Sequence, residues 1–221
     1  YGGDHDMFRS IRSPEVLLTT LAAAGILMVT MGARQSLGLF VAPINESTSL
    51  GIVTISLALA VGQFTWGAMQ PVAGAVADRY GPRAVLIGGL VVLAIGSALT
   101  PFMTSGIGLI VSLGLLSAMG AGAGSFSVLI GAAAQRMPLE ARGTASGVIN
   151  AGGSFGQFVF APIIQKLISL FGWMGAMWSL ALLTLTALPL VGKLTRPGAA
   201  PPKHAEADAG LKNTVVGAMQ D

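Results

Sequence analysis

Long apolar runs separated by short polar breaks dominate the pattern along this chain. Six stretches stand out, at residues 16–44, 50–77, 84–103, 106–134, 143–171 and 173–192. A helix that crosses the hydrocarbon core of a bilayer needs about 20 mainly apolar residues, and each stretch is long enough. The first is no cleaved signal peptide: it exceeds the roughly 7–15 apolar residues of a signal core, and five more runs follow it. The pattern therefore predicts an all-α membrane protein with six transmembrane helices. Two three-helix units are expected, a 3+3 repeat, because in each the second and third spans are joined by a short link. The third and sixth runs are the most uniformly apolar and are expected to face lipid. The other four carry the glycines and polar residues and are expected to share an interface. Residues 1–15 read as an N-terminal segment, 16–192 as the bundle and 193–221 as a polar linker.

Composition supports the same class. Of 221 residues, 53% are hydrophobic and only 10% charged, with a mean hydropathy of +0.75, where soluble domains carry roughly 25% charged residues. With no cysteine, a disulfide framework or thiolate metal site is excluded. The formal charge of +3 is spread along the chain, which gives no support to nucleic-acid binding. Basic residues suggest an orientation. With the N-terminus in the cytoplasm, Arg9, Arg12, Arg79, Arg83, Arg136, Arg142, Lys193, Arg196, Lys203 and Lys212, ten of the 12 Lys and Arg residues, fall inside, as the positive-inside rule requires. Arg34 and Lys166 are the exceptions. After Gly192 the chain turns rich in Pro, Ala, Gly and charge, and 211–221 reads as a short amphipathic helix. The chain starts at Tyr1, with Met7 as an alternative start, and no seventh span follows the linker. The expectation is an incomplete end and a second bundle beyond the linker.

Between the second and third runs lies Gly74-x-x-x-Asp78-Arg79-x-Gly81-x-Arg83, read as a tight charged loop. This resembles the loop signature of the major facilitator superfamily, with Pro82 where the signature often has a basic residue. Six spans with both ends inside, this loop after the second span and a long polar linker after the sixth resemble the N-terminal half of such a transporter over nearly the whole chain. Further phrases, Gly32-Ala33-Arg34-Gln35-Ser36-Leu37-Gly38, Trp66-Gly67-Ala68-Met69-Gln70-Pro71 and Gly152-Gly153-Ser154-Phe155-Gly156-Gln157, resemble bacterial members of the monocarboxylate and oxalate/formate porter group. The resemblance implies a multi-pass inner-membrane protein with cytoplasmic termini. Its partners would be membrane lipid, a small organic anion, and a C-terminal six-helix half or a second copy.

Arg34 is the leading candidate for chemistry. An arginine at a helix centre costs about 2.5–3.5 kcal/mol on insertion scales, and Arg34 would lie roughly 15 Å from the outer end of its helix. Either it faces a wet cavity, where its fork can bind a carboxylate, or it is tied to backbone carbonyls at a bend. Gln35 adjoins it. In the second run Gln63, Gly67, Gln70 and Gly74 recur at spacings of four, three and four, on one helical face, with Trp66 on its flank. The fifth run has Ser146, Asn150, Gly153 and Gln157, and the fourth Ser117, Gly120, Gly124, Ser127 and Gly131. Midplane polar groups at a repeat interface suit a substrate site; alternatively the amides only bond between helices, worth about 0.6 kcal/mol on average. Gly120, Gly124, Gly153 and Gly156 suit close helix packing. Asp78 is either a plain helix-end charge or, as the resemblance implies, part of a cytoplasmic gate with Gly74, Arg79, Gly81 and Arg83. In that gate Asp78 pairs with basic side chains and a helix N-terminus of the other half.

Other motifs fall away. Gly152-Gly153-Ser154-Phe155-Gly156 fits a hydrolase nucleophile elbow, but the only histidines, His5 and His204, lie in the polar ends, so the serine has no base. No Gly-Lys-Ser/Thr phosphate loop and no metal-ligand cluster occur; no cofactor and no enzymatic activity are expected. No Asp or Glu lies deep in a span, so proton coupling would use the substrate carboxylate or the other half, unless the mechanism is uniport or anion exchange. The sequence reads as a secondary transporter of a small organic anion, a monocarboxylate first. The alternatives are an exporter of drugs or other amphipathic solutes and, from a different class, a non-transporting scaffold or sensor. The run Ala161-Pro162-Ile163-Ile164 lacks the Gly-Pro-x-x-Gly-Gly of drug/proton antiporters, which weakens the exporter reading.

Overall fold

The computed structural model describes residues 13–195. Outside them lie Met7, both histidines, Arg9, Arg12, Arg196, Lys203, Lys212 and the short helix expected at 211–221. Among the described residues there are helices and no strand, and five helical runs are long and apolar enough to cross a membrane. We label them α1 (Pro14–Thr48), α2 (Ile52–Tyr80), α3 (Pro82–Phe102), α4 (Gly106–Ala134) and the 56-residue run Leu139–Leu194.

That last run is far too long to cross once. At 1.5 Å per residue it would extend about 84 Å, nearly three times a hydrocarbon core of about 30 Å. It breaks at Gly172, whose φ of 74° and ψ of 173° are open to glycine and costly for any other residue. The two arms are α5 (139–171) and α6 (173–194). They double back on each other: Arg136, just before α5, donates through Nη1 to the carbonyl of Lys193 at the end of α6, 2.6 Å away. The break expected near Gly172 is thus a single residue, and the helical run continues on both sides of it.

Small residues set how the helices pair. A Cβ on Gly152 would sit 2.8 Å from Ala24 Cβ, one on Gly153 2.8 Å from Leu27 Cδ2, one on Gly156 would overlap the backbone of Met28, and the Phe160 ring covers Gly32. Contacts rise together along both helices, so α1 and α5 run parallel. The same holds for α2 and α4, where Gly114 lies against Ala58 and Val61, and Gly122 against Trp66 and Met69. In contrast, α3 and α4 run antiparallel: Gly89 meets Ala123, Gly120 meets the Leu93 backbone and Gly96 meets Ser117. Leu190 of α6 sits on Gly25 of α1, and Trp178 donates its indole N–H to the Ala98 carbonyl of α3 at 3.2 Å. Gly124 interrupts α4, leaving a carbonyl that accepts from Thr30 Oγ1 of α1 at 3.1 Å.

The order of burial differs from expectation. Only 17% of the most apolar stretch of α2 is buried, against 67% for α1, 56% for α4 and 50% for α3. Both α2 and α3 approach α4 through glycines; α3 is covered on a further side by α6, where Trp178 reaches Ala98 and Phe102, and α2 is left as an edge. The segment Gly74–Arg83 also differs. Helix α2 continues to Tyr80, so Gly74, Asp78 and Arg79 are helical and the turn is Gly81 alone. Gly81 has φ 91° and ψ 152°, its N–H bonds to the Ala77 carbonyl at 2.8 Å, and α3 starts at once on Pro82. Proline in the first helical position needs no N–H and brings a preset φ, which accounts for Pro82 in place of a basic residue.

Candidate functional site

The polar face forms where α1 tightens. After Gln35 the chain passes into a 3₁₀ turn, Ser36–Phe40, and Ser36 Oγ bonds back to the Gly32 carbonyl at 2.7 Å. Phe160 fills the groove over Gly32. The half-buried Arg34 side chain is held beside this turn by α2: its Nη2 donates to Gln63 Oε1, and its Cζ lies 5.0 Å from the centre of the Trp66 ring. Gln63 and Trp66, three residues apart, present one helical face, and a guanidinium over an indole gains about 0.5–1 kcal/mol at exposed sites and more when desolvated. Arg34 is therefore held by side chains of a neighbouring helix; a tie to backbone carbonyls is not what the structure has.

One residue on, Gln35 Nε2 donates to Gln157 Oε1 of α5 at 3.2 Å. Arg34 and Gln35 thus reach to opposite sides of α1, and Arg34, Gln35, Gln63, Trp66 and Gln157 form one polar patch across α2, α1 and α5. Gln70 and Asn150 are outside it: each lies seven residues, about 10 Å, from Gln63 or Gln157 along its own helix, and neither joins these hydrogen bonds. Behind the guanidinium the bundle is nearly closed. A void of only about 10 Å³ lies there, among Ala33, Leu37, Ser97 and Ser117, and Ser117 Oγ is buried without a partner. On its open side the patch adjoins two exposed rings, Phe158, 78% exposed, next to Gln157, and Phe64, 77% exposed, next to Gln63. Phe160, Thr30 and Ser97 were not singled out from the sequence. The sequence signal for Phe160 is its position three residues after Gln157, and for Thr30 four residues before Arg34.

Toward the Tyr80 end of α2, Asp78 is exposed and makes no ion pair among the described residues. It borders a shallow recess with Gly74, Ser127, Gly131 and Gln135. Arg79 stacks over Tyr80, 5.4 Å from its ring centre, and Arg83 Nη1 donates to the Thr195 carbonyl at 3.2 Å. Of the proposed packing glycines, Gly120 and Gly156 lie against neighbouring backbone, Gly124 against Thr30 and Gly153 against Leu27, whereas Gly74 has nothing within 4 Å of a notional Cβ.

A family model described as Major Facilitator Superfamily matches residues 23–218. The chain belongs to the major facilitator superfamily. Among curated relatives of this superfamily chain, Monocarboxylate transporter 11 of Homo sapiens is 33% identical over 199 residues, covering 86% of this chain and 41% of that protein. Monocarboxylate transporter 13 of Rattus norvegicus is 32% identical over 173 residues, covering 76% and 39%. The Oxalate:formate antiporter of Oxalobacter formigenes is 30% identical over 158 residues, covering 69% and 36%. The chain spans about two fifths of the length of these relatives. It is a transporter-family protein whose apolar helices mark a multi-pass membrane protein.

Proposed function

We propose that this chain is the N-terminal six-helix half of a secondary transporter working by alternating access, and that its cargo is a small organic anion, a monocarboxylate first. The observation that carries the substrate class is the Arg34 guanidinium. It sits on an apolar helix, is oriented by the neutral Gln63 and by the Trp66 ring, and has no carboxylate partner among the described residues. A planar fork of this kind suits a carboxylate. The names of the relatives, which refer to monocarboxylates, oxalate and formate, support the same class.

Six crossings follow from reading α5 and α6 as a membrane hairpin turned at Gly172. The pairing supports a 3+3 repeat: exchanging α1 with α4, α2 with α5 and α3 with α6 maps the parallel pair α1/α5 onto α4/α2, and the contact α1/α6 onto α4/α3. The end that gathers Arg79, Arg83, Arg136, Arg142 and Lys193 is the cytoplasmic one by the positive-inside rule, in the inner membrane of a bacterial cell. A second six-helix bundle, in the same polypeptide or as a second copy, covers the face of α1, α2 and α5 and completes the cavity over Arg34. At the cytoplasmic end Gly74, Asp78, Arg79, Gly81 and Arg83 form the gate.

Uptake of radiolabelled lactate, formate and oxalate into proteoliposomes holding the full-length protein, with a cationic dye in parallel, tests the reading. Saturable uptake of a carboxylate that Arg34→Ala abolishes, with normal insertion, is the expected result. Wild-type kinetics in the Arg34→Ala protein would overturn it.

A further inference from the structure

A larger cavity, about 630 Å³, lies far from Arg34. It opens among the first turns of α1 and α3 and the last turns of α4 and α6. Glu15, at its rim, is 19 residues from Arg34, about 28 Å along α1. Two guanidiniums, Arg83 and Arg136, line it together with the Glu15 carboxylate, while Ala84, Ile87 and Ala132 provide apolar wall. Each arginine is fixed at one point: Arg83 Nη1 by the Thr195 carbonyl and Arg136 Nη1 by the Lys193 carbonyl. Arg136 Nη2 also lies 3.6 Å from Glu15 Oε1. A guanidinium has five N–H donors, so both retain donors for an anion, and among the described residues that line the cavity two positive charges face one negative. Ala84 also borders a second, almost purely apolar groove of about 220 Å³ between α2, α3 and α4, walled by Val85, Val92 and Met119.

We propose that this basic cavity binds the phosphate of an anionic phospholipid, with an acyl chain lying in the apolar groove beyond Ala84. Arginine forks favour phosphate oxygens. The cavity sits at the ends of membrane-length helices, the depth of lipid headgroups, and basic groups there gain from an anionic leaflet. Because both arginines hold the end of α6, the lipid would brace the point where the chain leaves the bundle. The inference rests on the membrane placement proposed above and not on Arg34, and its test does not use transport.

The purified full-length protein, stripped of lipid in detergent, is melted with phosphatidylglycerol, with phosphatidylcholine and with inorganic phosphate. Phosphatidylglycerol should raise Tm by roughly 3 °C more than phosphatidylcholine, and inorganic phosphate should give no shift. The double variant Arg83→Gln/Arg136→Gln should lose the difference between the lipids. Ala84→Phe, which leaves both arginine–carbonyl bonds in place, should lose it as well, and decides the matter if the double variant does not fold. Equal shifts with both lipids, or a difference that survives Ala84→Phe, would overturn the site. A shift with inorganic phosphate alone would overturn the lipid assignment in favour of a soluble phosphorylated ligand.

Discussion

At Arg34 the identity of the partner matters as much as its presence. Gln63 accepts a hydrogen bond from the guanidinium and orients it without neutralising it. A carboxylate at the same position would form an ion pair and compete with an anionic substrate. Hydrogen bonds to charged groups contribute about 1.5–3 kcal/mol, so Gln63→Glu should raise KM for the carboxylate about 10–100-fold, while Gln63→Ala should cost less. The measurement is proteoliposome uptake across a substrate series, and a Gln63→Glu protein with unchanged KM would detach Gln63 from the site. Arg34→Lys separates charge from shape: the ammonium keeps the charge and loses the planar fork and its stacking on Trp66, so uptake should be retained with a KM raised by several fold. A charge deep in an apolar run is a local signal, and it singles out Arg34 in the sequence; the spacing on α2 grouped Gln63 with Gly67, Gln70 and Gly74 and left Trp66 on the flank, whereas Arg34 meets Gln63 and Trp66. The Gln35–Gln157 bond spans 122 residues, and no periodicity encodes which two helices meet.

Helix pairing depends on close approach at a few glycines, and the same substitution should have opposite signs at different ones. A Cβ on Gly120 would overlap the backbone of Leu93 and Gly89, whereas one on Gly147 meets nothing within 4 Å. Gly120→Ala should destabilise by about 1–3 kcal/mol through overpacking. Gly147→Ala should be neutral or stabilising by up to about 1 kcal/mol, because alanine is the better helix former. Thermal unfolding of the two variants in the same detergent checks both. Gly172 tests the hairpin: its φ of 74° with ψ of 173° costs a side-chain-bearing residue about 1–3 kcal/mol, so Gly172→Val should lower Tm where Gly147→Ala does not. Helix positions were readable because apolar runs of membrane length announce themselves. The depth of each helix was not. Uniform apolarity suggested that α3 faces lipid, but a membrane helix is apolar whether it touches lipid or protein, and what buries α3 is cover from two sides, α4 through Gly89, Gly96 and Gly120 and α6 through Trp178. The end of α2 differs for a related reason: charges at Asp78 and Arg79 suggest a loop, but at the water-facing end of a helix they do not stop it, and Gly81 does.

For the molecule as a whole, α2 is an edge helix that this bundle leaves largely uncovered, with Gln63 and Trp66 near its middle and Gly74 and Asp78 toward its Tyr80 end. A second bundle docking on this face would close over one region as it opens the other, so groups on α2 that are idle within the bundle are where the two-state balance is set. Asp78 is such a group: it is exposed, unpaired among the described residues, and beside a recess between α2 and α4. A carboxylate facing a helix N-terminus gains about 0.3–1 kcal/mol, so removing its charge should change the ratio of the two states only about two- to fivefold. Asp78→Asn should therefore move the full-length transporter toward the state open at the Asp78 end without abolishing transport. The chain has no cysteine of its own, so reporters placed singly, Gln135→Cys beside the recess and Phe64→Cys near the Arg34 patch, read each region without background from this half. In Asp78→Asn, maleimide labelling at Gln135→Cys should speed up as labelling at Phe64→Cys slows. Rates that stay the same at both positions would remove Asp78 from the gate and leave it a solvated helix-end charge. Gly74→Leu provides the steric counterpart: with nothing within 4 Å of its notional Cβ, the added side chain should fill the recess between α2 and α4 and obstruct an approaching second bundle. It should shift labelling in the same direction as Asp78→Asn, by more, because it blocks closure where the charge change only weakens it.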